Sequence, residues 1–123
     1  MANTSILVHD LASGQWAYGY QHNTEEIPYT ELIDSALSVN KEIEAGEMES
    51  IEPVMFLAEW HDLALKRWND PSEYAIASID SLRELANEDD RHYSVEMEDG
   101  IIQRIGAYRR GNMFMKVDFA NLM

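Results

Sequence analysis

The chain has 123 residues, 46% of them hydrophobic, with three Trp, six Tyr, three Phe and no cysteine, and it carries a formal net charge of −14. That aromatic content excludes an intrinsically disordered acidic chain, and the missing cysteines exclude disulfides and thiolate metal sites. A charge so negative disfavours nucleic acid and anionic membranes as direct partners, because both are polyanions.

The first predicted elements are strands. Ser5 to Leu11 is a short apolar and β-branched run, Ala12-Ser13-Gly14 reads as a turn, and Trp16, Tyr18 and Tyr20 then alternate with Ala17, Gly19 and Gln21. Period-two spacing of aromatics predicts an N-terminal hairpin over residues 5–22, with the three rings on one face covering the core. Gly19 leaves the other face thin, as a bulge or a close approach requires.

From Thr24 to Asp90 the period is helical. Pro28 in a first turn, or Thr30 as N-cap, opens a helix whose stripe is Leu32, Ile33, Ala36, Leu37, Asn40 and Ile43, with Gly46 as its C′ residue. A second helix is expected from about Ile51 to Trp68, with Ser50 as cap. Its stripe of Val54, Leu57, Ala58, His61, Ala64, Leu65 and Trp68 is backed by Phe56, Trp60 and Leu63 on the opposite side, which predicts a central, core-forming helix. Asp70-Pro71-Ser72-Glu73 carries the signature of a third helix start, followed by Ala75, Ile76, Ile79, Leu82 and Ala86 and closed by Asn87-Glu88-Asp89-Asp90.

From His92 the period returns to two. Tyr93, Val95 and Met97 form one strand, Glu98-Asp99-Gly100 a tight turn and Ile101–Arg110 the next strand. Gly111-Asn112 makes another turn before Met113, Met115, Val117 and Phe119. Arg104, Tyr108, Arg110, Phe114 and Lys116 are expected on the solvent side. The order is β-β-α-α-α-β-β-β, a single α+β domain with an N-terminal hairpin, three helices and a C-terminal three-stranded antiparallel meander. The N-terminus has no basic n-region and no apolar stretch reaches span length, so a soluble, cytoplasmic protein is expected.

The motif search returns negatives. Among His9, His22, His61 and His92 no pair has helical zinc-site spacing, and no P-loop, G-x-G-x-x-G, G-x-S-x-G or EF-hand loop occurs. The expectation is a non-enzyme with no cofactor or metal. The charge is informative because it is uneven. Residues 1–90 carry nineteen of the 23 acids against Lys41, Lys66, Arg67 and Arg83, whereas residues 91–123 carry four acids and five bases. Glu42, Glu44, Glu47, Glu49 and Glu52 are the densest group, and Glu88, Asp89 and Asp90 the second. Both are expected to be partner-binding surfaces for a basic nucleic-acid-binding protein or complex, occupying sites meant for phosphates.

In size, acidity, lack of cysteine and lack of an active-site motif, the chain resembles the phage- and plasmid-encoded antagonists of bacterial defence, such as anti-CRISPR and antirestriction proteins. The resemblance is compositional and implies an inhibitor that mimics DNA or RNA. An immunity protein or antitoxin against a basic nuclease toxin would use the same electrostatics. A housekeeping α+β module that binds a ligand or oligomerises through its aromatics stands as the alternative class, and it predicts acids spread evenly rather than gathered. The oligomeric state is open between monomer and homodimer.

Overall fold

A computed structural model describes residues 2–24, 29–58, 64–69 and 79–119. In chain order the elements are strands β1 (Ala2–Asp10) and β2 (Trp16–Thr24), helices α1 (Tyr29–Glu44) and α2 (Pro53–Ala58), strand β3 (Ala64–Asn69), helix α3 (Ile79–Ala86), and strands β4 (Arg91–Glu98), β5 (Ile101–Arg109) and β6 (Asn112–Asp118). The class is mixed α+β; among the described residues there are three helices and six strands, the strands joined in one sheet of order β3-β2-β1-β4-β5-β6. The hairpin and the expected meander are therefore halves of a single sheet. They meet along a parallel β1–β4 seam that runs from Thr4 opposite Arg91 to Asp10 opposite Met97.

The expected helix over 51–68 is the main correction. Its first part is α2, six residues long, and its last part is strand β3, antiparallel to β2 with Trp68 opposite Ala17 and Leu65 opposite Gly19. A segment apolar on two sides satisfies a helix stripe and a buried strand equally. The unfilled edge of β2 decides, because it offers a row of backbone donors and acceptors to a strand and none to a helix. The register slips between Tyr18 and Gly19, so the glycine marks an irregularity of the kind its position suggests. Trp60, His61 and Leu63, and the Asp70-Pro71-Ser72-Glu73 start, lie outside the described residues.

Each face of the sheet has its own cover. Ile6, Val8, Ala17, Tyr93, Val95, Met97, Ile102, Ile105 and Ala107 form one face, and α1 and α2 close over it with Leu32, Ala36, Val39, Phe56 and Leu57. Helix α1 ends as its sequence predicts: Gly46 has φ 76°, its N–H donates to Ile43 O at 3.2 Å, and Glu47 N–H donates to Glu42 O at 2.9 Å. Within the apolar stripe of α1, Asn40 is buried because its amide exchanges two hydrogen bonds with the Ile102 backbone, at 2.8 and 3.0 Å. That pair fixes the helix to β5 at one height.

The opposite face holds Leu7, Trp16 and Tyr18 beneath Leu82 of α3. Beside them lies a buried polar group. Ser5 Oγ and His92 Nδ1 are 2.8 Å apart, and the Tyr18 hydroxyl donates to Asp89 at 3.4 Å. Burial pushes His92 down to about 4 and Tyr18 up to about 12, and it also raises Asp89 against the opposing hydrogen bonds from Ser5 and Tyr18.

These shifts have opposite consequences in acid. Unfolded histidine titrates near its ordinary value of 6.5, so the native state keeps the full benefit of a neutral His92 above that pH. It loses this benefit progressively down to about pH 4. The loss is roughly 3 kcal/mol, offset in part by Asp89, which the native state protonates more readily than the unfolded chain does. Denaturant titrations of wild type and His92→Gln at pH 7 and pH 4.5 should show a smaller acid-induced drop in the variant; equal drops would remove His92 as the cause.

Candidate functional site

The densest acids lie where α1 stops. Glu44, Glu47, Glu49 and Glu52 are exposed and Glu42 is partly so, spread over the last turn of α1 and the connection to α2. That connection does not float. Ile51 N–H donates to Gly100 O at 3.4 Å, and Gly100, at φ 80°, approaches so closely that a Cβ there would meet the Ser50 Cβ at 2.5 Å. Only glycine fits at that position. The contact brings the β4–β5 turn against the connection, and with it the exposed Glu98 and Asp99. Seven carboxylates from two chain segments about fifty residues apart therefore share one end of the sheet. Lys41 is the sole base within either segment.

Asp10 organises this end. Its Oδ1 accepts from the N–H of Ala12 at 2.9 Å, Ser13 at 3.1 Å and Asp99 at 3.2 Å, and its Oδ2 accepts from the N–H of Gly100 at 2.9 Å. One carboxylate thus closes the β1–β2 turn and fastens it to the β4–β5 turn. Burial alone raises the Asp10 carboxyl, but the N–H groups of Ser13, Gly100, Ala12 and Asp99 outweigh it and hold it below the usual carboxylate range. Asp10, Glu98 and Asp99 are missing from the candidate acids read from sequence. Their signals were local ones: an aspartate two residues before Ala12-Ser13-Gly14, and a Glu-Asp-Gly tight turn.

The second expected group is a different object at the other end of the sheet. Asp89 is buried at 8% exposure and accepts the Tyr18 hydroxyl, so it is not available to a partner. Asp90 accepts the Asn3 N–H at 3.1 Å and pairs with Arg110 at 3.2 Å, and those two contacts hold its carboxyl below the ordinary range. Arg110 N–H also donates to the Asp89 carbonyl at 3.1 Å. Glu88 alone of the three is exposed and outside these contacts. Asp89 and Asp90 anchor the start of β4 to β2, to β1 and to the β5–β6 turn, so the run is not the continuous exposed surface its sequence suggests.

Cationic side chains lie on the far strands. Arg104 reaches Glu96 at 3.4 Å and Asp118 at 3.9 Å in the wall of a shallow depression of about 120 Å³, lined also by Ser94, Tyr108, Met113 and Lys116. Its charge is largely answered there. Phe114, expected beside Arg104 and Lys116, is turned to the face that α1 and α2 cover by the register shift opposite Ala107 and Tyr108. Its ring lies under Arg91 and Arg109, 5.8 and 5.6 Å from their guanidinium carbons. Among the described residues, no group of acidic and histidine side chains could hold a metal ion, and no helix is long and apolar enough to cross a membrane. Comparisons with protein-family models, with curated proteins and with solved structures return no match.

Replacing Asp10 by Ala leaves four backbone N–H groups without their acceptor and should cost about 2–4 kcal/mol by chemical denaturation. Because the native carboxyl is depressed, the Asp10 contribution is present above the unfolded value of 3.8 and is lost as pH falls through the lower native one. The difference between wild type and Asp10→Ala should therefore shrink at pH 2 to 3. A difference below about 0.5 kcal/mol at pH 7 would show that water replaces the carboxylate and that the two turns hold without it.

Proposed function

We propose that this protein is a small acidic, non-enzymatic binding protein that inhibits a basic nucleic-acid-handling protein by occupying its phosphate-binding surface. It would thus act as an antagonist of the anti-CRISPR or antirestriction kind. The observation that carries the reading is the gathering of Glu42, Glu44, Glu47, Glu49, Glu52, Glu98 and Asp99 at one end of the sheet, where Asp10 holds the β4–β5 turn and Gly100 ties that turn to the α1–α2 connection. The ion pairs found among the described residues are Arg83 with Asp80, Arg104 with Glu96 and Asp118, and Arg110 with Asp90, none of which involves the seven.

Unpaired like charges held together cost stability, and a chain gains from them only through what they meet. A rigid array of carboxylates offers a basic cleft the same charge-assisted hydrogen bonds that phosphates offer, and its field raises the rate of encounter. The partner class follows from that chemistry. It is a protein whose Arg- and Lys-lined surface ordinarily holds DNA or RNA.

Immobilised on a column at low salt, the protein should retain a basic nucleic-acid-binding protein from a bacterial lysate. Raised salt should release the captured protein, and so should added DNA or RNA. Glu47→Lys, Glu49→Lys and Glu52→Lys together raise the net charge by six units, two for each substitution, and should abolish capture without loss of stability. The same change at Glu31, Asp34 and Glu84, exposed elsewhere, should weaken capture far less. Equal loss from both triple variants would mean that bulk charge matters and position does not. Capture unaffected by salt and by nucleic acid would overturn the proposal. In a mobility-shift assay the isolated protein should leave DNA and RNA unshifted; a salt-sensitive shift would show that it binds nucleic acid itself, against the decoy reading.

A further inference from the structure

From the free edge of the sheet we infer that a second copy of this chain docks there, β6 against β6, across a twofold axis at Met115. Strand β6 is the last in the sheet order, and no strand lies beyond it among the described residues. It is seven residues long and has no proline. Natural sheet edges are blunted by charge, proline or brevity, because a row of open N–H and C=O groups recruits another strand. This edge has a bulge at Phe114 and a single lysine, Lys116, beside it, yet its centre is apolar. Met113, Phe114 and Met115 stand consecutively at 53%, 47% and 49% exposure, and the other large apolar side chains so exposed among the described residues are Leu11, in the β1–β2 turn, and Met55, on α2.

The charge distribution selects the occupant. Two chains of net charge −14 repel wherever their acidic surfaces meet. The strands around β6 form the part of the molecule where charges balance: Arg104 answers Glu96 and Asp118, Arg110 answers Asp90, and Lys116 lies on β6 itself. Two copies therefore approach with least repulsion along this edge.

The strand is also self-complementary when paired antiparallel. With Met115 opposite the partner's Met115, and the bulged Phe114 passed over, Met113 lies opposite the partner's Lys116 on the same face, where the lysine stem can cover the thioether. No like charges are then directly opposed. Phe114 and Met115 of both copies meet on the face that α1 and α2 cover, and the sheet runs on from one protomer into the next. This inference does not depend on the proposed function, since the seven acids take no part in it.

The experiment uses the whole chain. In light scattering across concentrations from about 1 to about 200 μM, wild type should pass from monomer to dimer, with an affinity on the order of micromolar. Added salt should tighten the dimer, because it screens the repulsion between the two acidic chains. Met115→Arg places two cations at the axis and should leave a folded monomer, with folding checked by circular dichroism. The chain has no cysteine of its own. Met115→Cys should therefore form a disulfide-linked dimer under mild oxidation at least about tenfold faster than Met55→Cys, an equally exposed position on α2, since paired strands bring Cα atoms within disulfide reach. A wild-type chain that stays monomeric throughout, a dimer that survives Met115→Arg, or equal cross-linking of the two cysteine variants would each overturn the inference.

Discussion

The fold depends on one carboxylate. Asp10 ends β1, and the four backbone N–H groups it accepts belong to two turns separated by some ninety residues of chain. Those turns are where the two halves of the sheet meet, since β1 pairs with β2 on one side and with β4 on the other. A parallel seam has no hairpin to set its register. The charge-assisted bonds of Asp10 supply that register at one end. The Asn3–Asp90 and Arg110–Asp90 contacts supply it at the other. The acidic surface inherits its geometry from this arrangement, because Glu98 and Asp99 lie on one of the two turns and Gly100 bonds to the connection that carries Glu47, Glu49 and Glu52.

Acidity is used in two different ways. Asp10, Asp89 and Asp90 are consumed by the fold, each satisfied by N–H, O–H or guanidinium donors. The exposed glutamates at the end of α1 have no such partners among the described residues, and like charges gathered there work against the fold. Composition alone cannot separate the two kinds. A carboxylate engaged by several donors is pulled into the structure, whereas one that meets only water stays outside, and the difference rests on backbone groups that are distant in sequence.

Legibility in the sequence followed the range of the interactions involved. The α1 stripe, its glycine stop, the β4–β5 turn and the Trp16-Tyr18-Tyr20 face are local patterns, and each is found close to where its spacing puts it. Strand β3 was illegible because Ala64–Asn69 becomes a strand only through the open edge of β2. The parallel pairing of β1 with β4 was illegible for a similar reason, since both halves of the sheet alternate identically whether joined or apart. The same limit misplaced Asp89: its run Glu88-Asp89-Asp90 reads as a solvated helix end, yet Tyr18, seventy-one residues away, draws the middle carboxylate inside.

Strand direction ties the two surface proposals together without making either depend on the other. β6 begins at the end of the sheet that holds Asp90 and Arg110 and finishes beside Arg104, toward the end that holds the acids. An antiparallel β6–β6 pairing therefore sends the acidic ends of two protomers in opposite directions. That arrangement minimises repulsion within the pair and leaves both acidic ends open to partners. The two proposals divide the chain's uneven charge between them: the last thirty-three residues, where acids and bases nearly balance, form the strands proposed to meet another copy, and the strongly acidic first ninety supply five of the seven acids proposed to meet something basic.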